Sequence, residues 1–113
     1  MSIIKNNFLI HNFQDTSEEI IEQLFNGNNF FVERIISNGQ ASPDNFWYDQ
    51  ENNEWVIVIQ GTAKIEFKNP DEILDLKPGD FVLIPAHKKH RVKETSKEQE
   101  TIWLAVHYKT NDM

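Results

Sequence analysis

Apolar residues recur at helical spacing over residues 15–25. The apolar positions of this segment are Ile20, Ile21, Leu24 and Phe25. Thr16 and Glu19 fit a capping box at its start, and the pair Asn26-Gly27 offers a stop. This combination predicts one short amphipathic N-terminal helix.

Beyond residue 29 the repeat of apolar positions shortens to two residues, as in a strand, and β-branched and aromatic residues become frequent. Strands are predicted over residues 30–37, 54–60, 62–68, 73–76, 81–84, 90–93 and 101–108, with a further extended segment over residues 46–49. Glycine or proline marks most of the connections between them. Many short strands after one helix predict an all-β sandwich or barrel.

Successive side chains of the predicted strand 54–60 should point to opposite faces of the sheet. If Glu54 points into the fold, Val56 and Val58 point the same way. The opposite face then carries an apolar row formed by Trp55, Ile57 and Ile59. Such a row needs cover from other strands, from the helix or from a second subunit, and a homodimer is the predicted assembly.

The length of the chain favours a single domain. Its 113 residues, of which 39% are hydrophobic, suffice for one core. We therefore expect one domain over residues 1–113, with an N-terminal arm and helix over residues 1–29 and a β-barrel core over residues 30–108.

Charge and cysteine usage argue against several classes of function. Lys and Arg total 11 against 18 Asp and Glu, and a net charge of −7 disfavours binding to nucleic acid or to anionic lipid. The absence of cysteine excludes disulfides, thiolate metal sites and cysteine nucleophiles. No apolar run is long enough for a signal peptide or a membrane span, so we expect a cytoplasmic protein.

The stretch from Gly79 to Val92 carries the most specific motif of the chain. Gly79 is followed after five residues by Pro85, and His90 lies five residues further on. This spacing resembles the second motif of the cupins, whose fold is a jelly-roll barrel also called a double-stranded β-helix. His87 stands where that motif has glycine.

The first cupin motif is matched only in its second half. Glu54 and Gly61 stand at the expected interval. Tyr48 and Gln50, or Trp47 and Asp49 in the longer spacing, occupy the two positions where cupins have histidine.

The resemblance implies a divalent metal ion inside the barrel. It assigns Glu54 and His90 as ligands, with Gln50 as a substitute, and His87 or His107 could complete the set. Mixed nitrogen and oxygen ligands suit zinc, iron, manganese or nickel. On this hypothesis the protein binds or acts on a small polar molecule, with Tyr48, Gln50 and Trp103 as candidate contacts.

Two alternatives remain open at this point. A metal-free cupin could hold a small molecule directly through Tyr48, Gln50, Glu54 and His90, or the domain could be a dimeric interaction module without activity. Cupins carry many unrelated functions, so the resemblance names neither a reaction nor a catalytic residue. Whether the chain is an enzyme is left open.

Overall fold

The computed structural model describes residues 2–110 and contains eight strands. Their bounds are β1 Ile20–Asn26, β2 Phe30–Ser37, β3 Asn53–Gln60, β4 Ala63–Phe67, β5 Glu72–Leu76, β6 Phe81–Ile84, β7 His90–Thr95 and β8 Thr101–Tyr108. The seven strands predicted after residue 29 are confirmed, and their ends differ from the prediction by at most two residues.

The strands form two antiparallel sheets. The larger sheet has the order β1-β2-β8-β3-β6, and the smaller has the order β5-β4-β7. Non-consecutive neighbours such as β2 and β8 show that the chain crosses between sheets, as expected of a jelly roll. The domain is therefore all-β, as predicted, and its core is a sandwich of two sheets.

The predicted N-terminal helix is wrong. Residues 20–26 form β1, which pairs with β2 from Ile20 opposite Ile36 to Asn26 opposite Phe31. Local spacing favoured a helix, but the free edge of β2 offers a full ladder of hydrogen bonds to this segment. The register shifts between Gln23, which pairs with Glu33, and Phe25, which pairs with Val32, so β1 has one extra residue at this point. No helix in the described part of the chain is long and apolar enough to cross a membrane.

The core lies between the two sheets. Its fully buried members include Val56 and Val58 from β3, Ile65 from β4 and Ala105 from β8. Glu54 shares the inward face with these valines and is itself buried, which confirms the predicted alternation of β3. Trp103 and His107 likewise share the inward face of β8 with Ala105.

Residues 7–10 of the N-terminal arm run along the outer face of the larger sheet. Arg34 of β2 is 7% exposed, and its Nη1 donates to the backbone carbonyls of Phe8 and Ile10, each at 3.1 Å. Its Nε donates to Glu22 Oε1 at 2.9 Å. These bonds fasten the arm to the sheet, because a buried guanidinium needs several acceptors.

Candidate functional site

A cavity of about 90 Å³ lies between the two sheets. Ile, Val and Trp side chains form much of its wall. The larger sheet and the segment before β1 contribute Glu19, Glu33, Glu54 and His107. The opposite side contributes Tyr48, Gln50 and His90. Seven polar side chains therefore converge on one small space.

Strand register explains why the inward side chains meet. His107 of β8 lies opposite Phe31 of β2 and opposite Glu54 of β3, so one cross-strand row spans three strands. On the smaller sheet, Tyr48 forms an isolated bridge with His90, and the two backbones exchange hydrogen bonds of 2.7 and 3.1 Å. The rings of Tyr48 and His90 stack with centroids 5.5 Å apart.

Glu54 lies between two histidines. Its Oε1 is 3.6 Å from Nε2 of His90, and its Oε2 is 3.8 Å from Nε2 of His107. Both separations exceed hydrogen-bond length. Since Glu54 is only 8% exposed, its carboxylate is largely withdrawn from water without a direct hydrogen bond to either ring.

The tautomer of His90 follows from its backbone contact. Its Nδ1 lies 2.9 Å from the carbonyl oxygen of Lys88, which can only accept, so Nδ1 carries the proton. In the neutral ring, Nε2 then presents its lone pair to Glu54. Two acceptors thus face each other across 3.6 Å, which favours a donor or a cation between them.

His107 has the opposite role, because its Nε2 is a donor. This nitrogen lies 2.9 Å from Oε1 of Glu33. Burial lowers the pKa of His107, but the hydrogen bond to Glu33 and the charges of Glu54 and Glu33 outweigh burial and raise it overall. A histidine that keeps this proton cannot ligate a metal through Nε2.

A third carboxylate closes the wall next to β2. Ser37 donates its hydroxyl to Glu19 Oε2 at 3.0 Å, and Nε1 of Trp103 donates to the oxygen of Ser37 at 3.2 Å. Burial raises the pKa of Glu19; the hydrogen bond from Ser37 opposes this shift, and the charges of Glu54 and Glu33 add to it. Burial and the same carboxylates raise the pKa of Tyr48.

The predicted site residues separate into two groups. Tyr48, Gln50, Glu54, His90 and Trp103 all line the cavity. The Oε1 atom of Gln50 is buried and has no hydrogen-bond partner. Tyr48 and Gln50 therefore share the inward face, as the shorter motif spacing requires.

His87 lies outside the cavity, as do Trp47 and Asp49, the two residues of the longer motif spacing. The His87 side chain is 66% exposed, and its Nδ1 is 2.8 Å from Oδ1 of Asp49. Trp47 packs under the ammonium group of Lys68 at 4.5 Å. None of these three predicted candidates, His87, Asp49 and Trp47, lines the cavity.

Sequence reasoning missed two carboxylates of the pocket and ranked one histidine too low. Glu19 was placed in a helix cap, and Glu33 received no role. His107 was considered only as a residue that could complete a metal-ligand set, yet it contacts both Glu33 and Glu54. Each face of β2 carries one charged residue, Glu33 or Arg34, so nothing in the sequence indicates that Glu33 is the one that faces the pocket.

The resemblance to cupins implies a bound metal ion. The side chains that could act as its ligands show whether the pocket fits one. Among residues 2–110, no group of three or more His, Asp or Glu side chains is arranged to hold a metal ion. Glu54 and His90 face each other, and the unpartnered oxygen of Gln50 is a third available atom. A metal site would therefore depend on a neutral amide ligand.

Two facing antiparallel sheets with a histidine and glutamate pocket between them define a small jelly-roll protein. The chain belongs to the cupin family, because the family model for the cupin domain matches residues 33–107. A search of curated proteins finds no match.

Solved structures share this fold. A protein from Ralstonia eutropha JMP134, named "putative mannose-6-phosphate isomerase", is 40% identical with a TM-score of 0.90, covering 96% of this chain and 100% of its own. A cupin superfamily protein from Desulfitobacterium hafniense DCB-2 is 19% identical with a TM-score of 0.70, covering 88% and 84%. A cupin from Methanocaldococcus jannaschii is 16% identical with a TM-score of 0.67, covering 95% and 93%.

Proposed function

We propose that this protein binds a small polar molecule directly in the pocket between its sheets. The observation that carries the proposal is Glu54, a carboxylate that is 8% exposed and for which the described residues provide no hydrogen-bond donor. Buried carboxylates are costly unless hydrogen bonds satisfy them. A bound molecule that donates to Glu54 and to Nε2 of His90 supplies the missing bonds.

The surrounding residues provide the remaining contacts. Tyr48 and Gln50 offer a hydroxyl and an amide, while Trp103 offers only apolar contact, since its N–H is already bonded to Ser37. A carboxylate next to a neutral imidazole can also accept a proton from a bound molecule and return it at a neighbouring atom. Binding is the core of the proposal, and proton transfer is the chemistry that this pair permits.

Isomerisation of a phosphorylated hexose, which the name of the Ralstonia eutropha protein suggests, is not the function that the geometry supports. The cavity, of about 90 Å³, is small. No Lys or Arg lines it. A phosphate group is normally held by such cationic side chains.

A divalent metal ion is the second candidate. It is favoured by the lone pair of His90, which faces Glu54, and by the unpartnered oxygen of Gln50. Glu54, His90 and Gln50 would hold the ion, which could be zinc, iron, manganese or nickel. Such an ion would polarise a carbonyl or hydroxyl oxygen of the bound molecule.

Titration with small probes tests direct binding. We expect glycerol or serinol (2-amino-1,3-propanediol) to shift the ring resonances of His90 and His107 saturably in protein treated with a chelator. Both His90→Ala and Glu54→Gln should weaken this binding about tenfold or more, because each removes a hydrogen bond to a charged or polar group. His87→Ala is the matched control, because that ring is exposed, and it should bind like the wild type.

Metal analysis separates the two candidates. Protein purified without a histidine tag should contain no stoichiometric metal if direct binding is correct. A bound metal that disappears in His90→Ala and Gln50→Ala, but not in His87→Ala, would replace direct binding by the second candidate. Equal probe binding by wild type and His90→Ala would overturn the assignment of the site itself.

A further inference from the structure

The wall of the pocket contains more acidic than basic side chains. Three carboxylates, Glu19, Glu33 and Glu54, line the cavity, and no Lys or Arg among the described residues does. Mutual repulsion among the three carboxylates contributes to the raised pKa of Glu19, after the larger effect of burial. The wall therefore has a net negative charge.

The nearest arginines cannot balance this charge, because the strands turn them outward. Arg34 follows Glu33 directly and so lies on the opposite face of β2, where it binds Glu22 and the arm. Arg91 follows His90, and its Nη1 donates to Glu66 at 3.0 Å. Both guanidinium groups are engaged outside the cavity.

Hydrogen-bonding groups left free in the wall are mainly acceptors. The N–H of His107 is taken by Glu33, and the N–H of Trp103 by Ser37. Glu54 and Nε2 of His90 remain as acceptors, with a buried oxygen of Gln50. The other available donors, on Tyr48 and Gln50, are neutral.

We infer that the molecule bound in this pocket inserts an ammonium or hydroxyl group toward Glu54 and carries no anionic group at the inserted end. This inference rests on the proposed function, since it concerns the same pocket. A carboxylate or phosphate would face three carboxylates in a poorly hydrated space, without a guanidinium to pair with it. An ammonium group can pair with Glu54 in a cavity whose wall also includes the aromatic side chains of Tyr48 and Trp103. The class of ligand is thus a small amine or polyol.

Four probes on one three-carbon frame test this inference. Serinol is a cation, glycerol is neutral, glycerate is an anion and glycerol phosphate has a larger negative charge. Their affinities are measured for chelator-treated protein, at constant ionic strength, from the resonances of the His90 and His107 rings and the Trp103 indole. We expect serinol to bind about tenfold or more tightly than glycerate, with glycerol between them and glycerol phosphate weakest.

Glu19→Gln tests whether the wall charge causes this order. Glutamine keeps an acceptor for Ser37 but removes one negative charge, so the ratio of serinol to glycerate affinity should fall about threefold or more. Glu18→Gln is the matched control, since it removes the same charge from the neighbouring residue, which is exposed and does not line the cavity. An unchanged ratio in Glu19→Gln, or equal losses in both variants, would contradict the inference.

Other outcomes distinguish this inference from the proposed function. If glycerate or glycerol phosphate binds most tightly and His90→Ala abolishes that binding, the pocket is correctly assigned and the ligand class is wrong. If serinol binds equally well to wild type and His90→Ala, the pocket assignment fails. If none of the four probes binds, both proposals are overturned.

Discussion

At the scale of single residues, His107 lies between two carboxylates of the larger sheet. Its Nε2 donates to Glu33 at 2.9 Å and lies 3.8 Å from Glu54. Phe31 stacks on the ring at a centroid distance of 4.5 Å, which fixes its plane. The charge of this one ring therefore affects both carboxylates and any molecule between them.

The raised pKa of His107 predicts how stability depends on pH. A group whose pKa is higher in the folded state contributes stability that is fully present below its unfolded pKa of 6.5 and is lost as pH rises through the folded value. The free energy of unfolding, measured with urea in the presence of a chelator, should therefore decrease as pH rises above about 6.5. The raised pKa of Glu19 acts in the same direction, beginning above the ordinary glutamate value of 4.5.

Two variants isolate the contribution of His107. In His107→Asn, the free energy of unfolding should decrease less above about pH 6.5 than it does in the wild type. In Glu33→Gln the pKa of His107, followed by its ring resonances, should be lower than in wild type because the largest of the raising contributions is removed. A pKa of His107 that is the same in Glu33→Gln and wild type would show that Glu33 does not hold the proton.

The candidate site was predictable where a motif fixed the position of a residue. The spacing of Gly79, Pro85 and His90 singled out His90, and alternation with Val56 singled out Glu54; both side chains line the cavity. Glu33 was not predictable, because both faces of β2 combine apolar residues with one charge, Glu33 on one and Arg34 on the other. Only the pairing with β8, where Glu33 lies opposite Ala105, determines which face is inward.

At the scale of elements, β1 shows why local pattern can fail. The segment 20–26 has apolar residues at spacings compatible with a helix, but Ile20 and Ile21 are β-branched and also suit a strand. Pairing with β2 covers an otherwise open sheet edge and brings Glu19 to the cavity. Strands such as β4, AKIEF, were predictable because period-two alternation and the flanking turn residues agree, whereas β6, FVLI, was predictable as a short apolar run after a turn.

Two turn glycines should differ in their tolerance of alanine. Gly61 and Gly79 both have positive φ, of 82° and 93°. A Cβ on Gly61 would lie 2.7 Å from Cα of Thr101 and 2.8 Å from the carbonyl oxygen of Glu100, whereas nothing lies within 4 Å of a Cβ on Gly79. Gly79→Ala should therefore cost about 1–2 kcal/mol through backbone strain alone, and Gly61→Ala about 1–3 kcal/mol more.

Urea denaturation of the two glycine variants measures this difference directly. Gly79→Ala serves as the control for backbone strain, because it shares the positive φ and lacks the close backbone contacts. Equal losses in the two variants would mean that β8 shifts freely away from the turn before β4. A larger loss in Gly61→Ala would show that this turn is packed against a fixed strand.

At the scale of the whole molecule, one outer surface remains apolar although the arm covers part of the larger sheet. Phe81 and Leu83 of the edge strand β6 are 61% and 56% exposed. They lie opposite Ile57 and Trp55 of β3, and the rings of Trp55 and Phe81 are 5.5 Å apart. This surface corresponds to the outward row that predicted a homodimer.

We expect two copies to associate through this surface about a twofold axis, because that arrangement lets both apolar rows cover each other. Sedimentation of the wild type at micromolar concentration should give twice the chain mass of 13.3 kDa. The double variant Phe81→Glu, Leu83→Glu should be monomeric, since four added charges would meet in the dimer. Ile73→Glu is the control, since that residue is 48% exposed on β5 of the other sheet and its variant should remain dimeric. A monomeric wild type, or a double variant that is still dimeric, would show that this surface is not the interface.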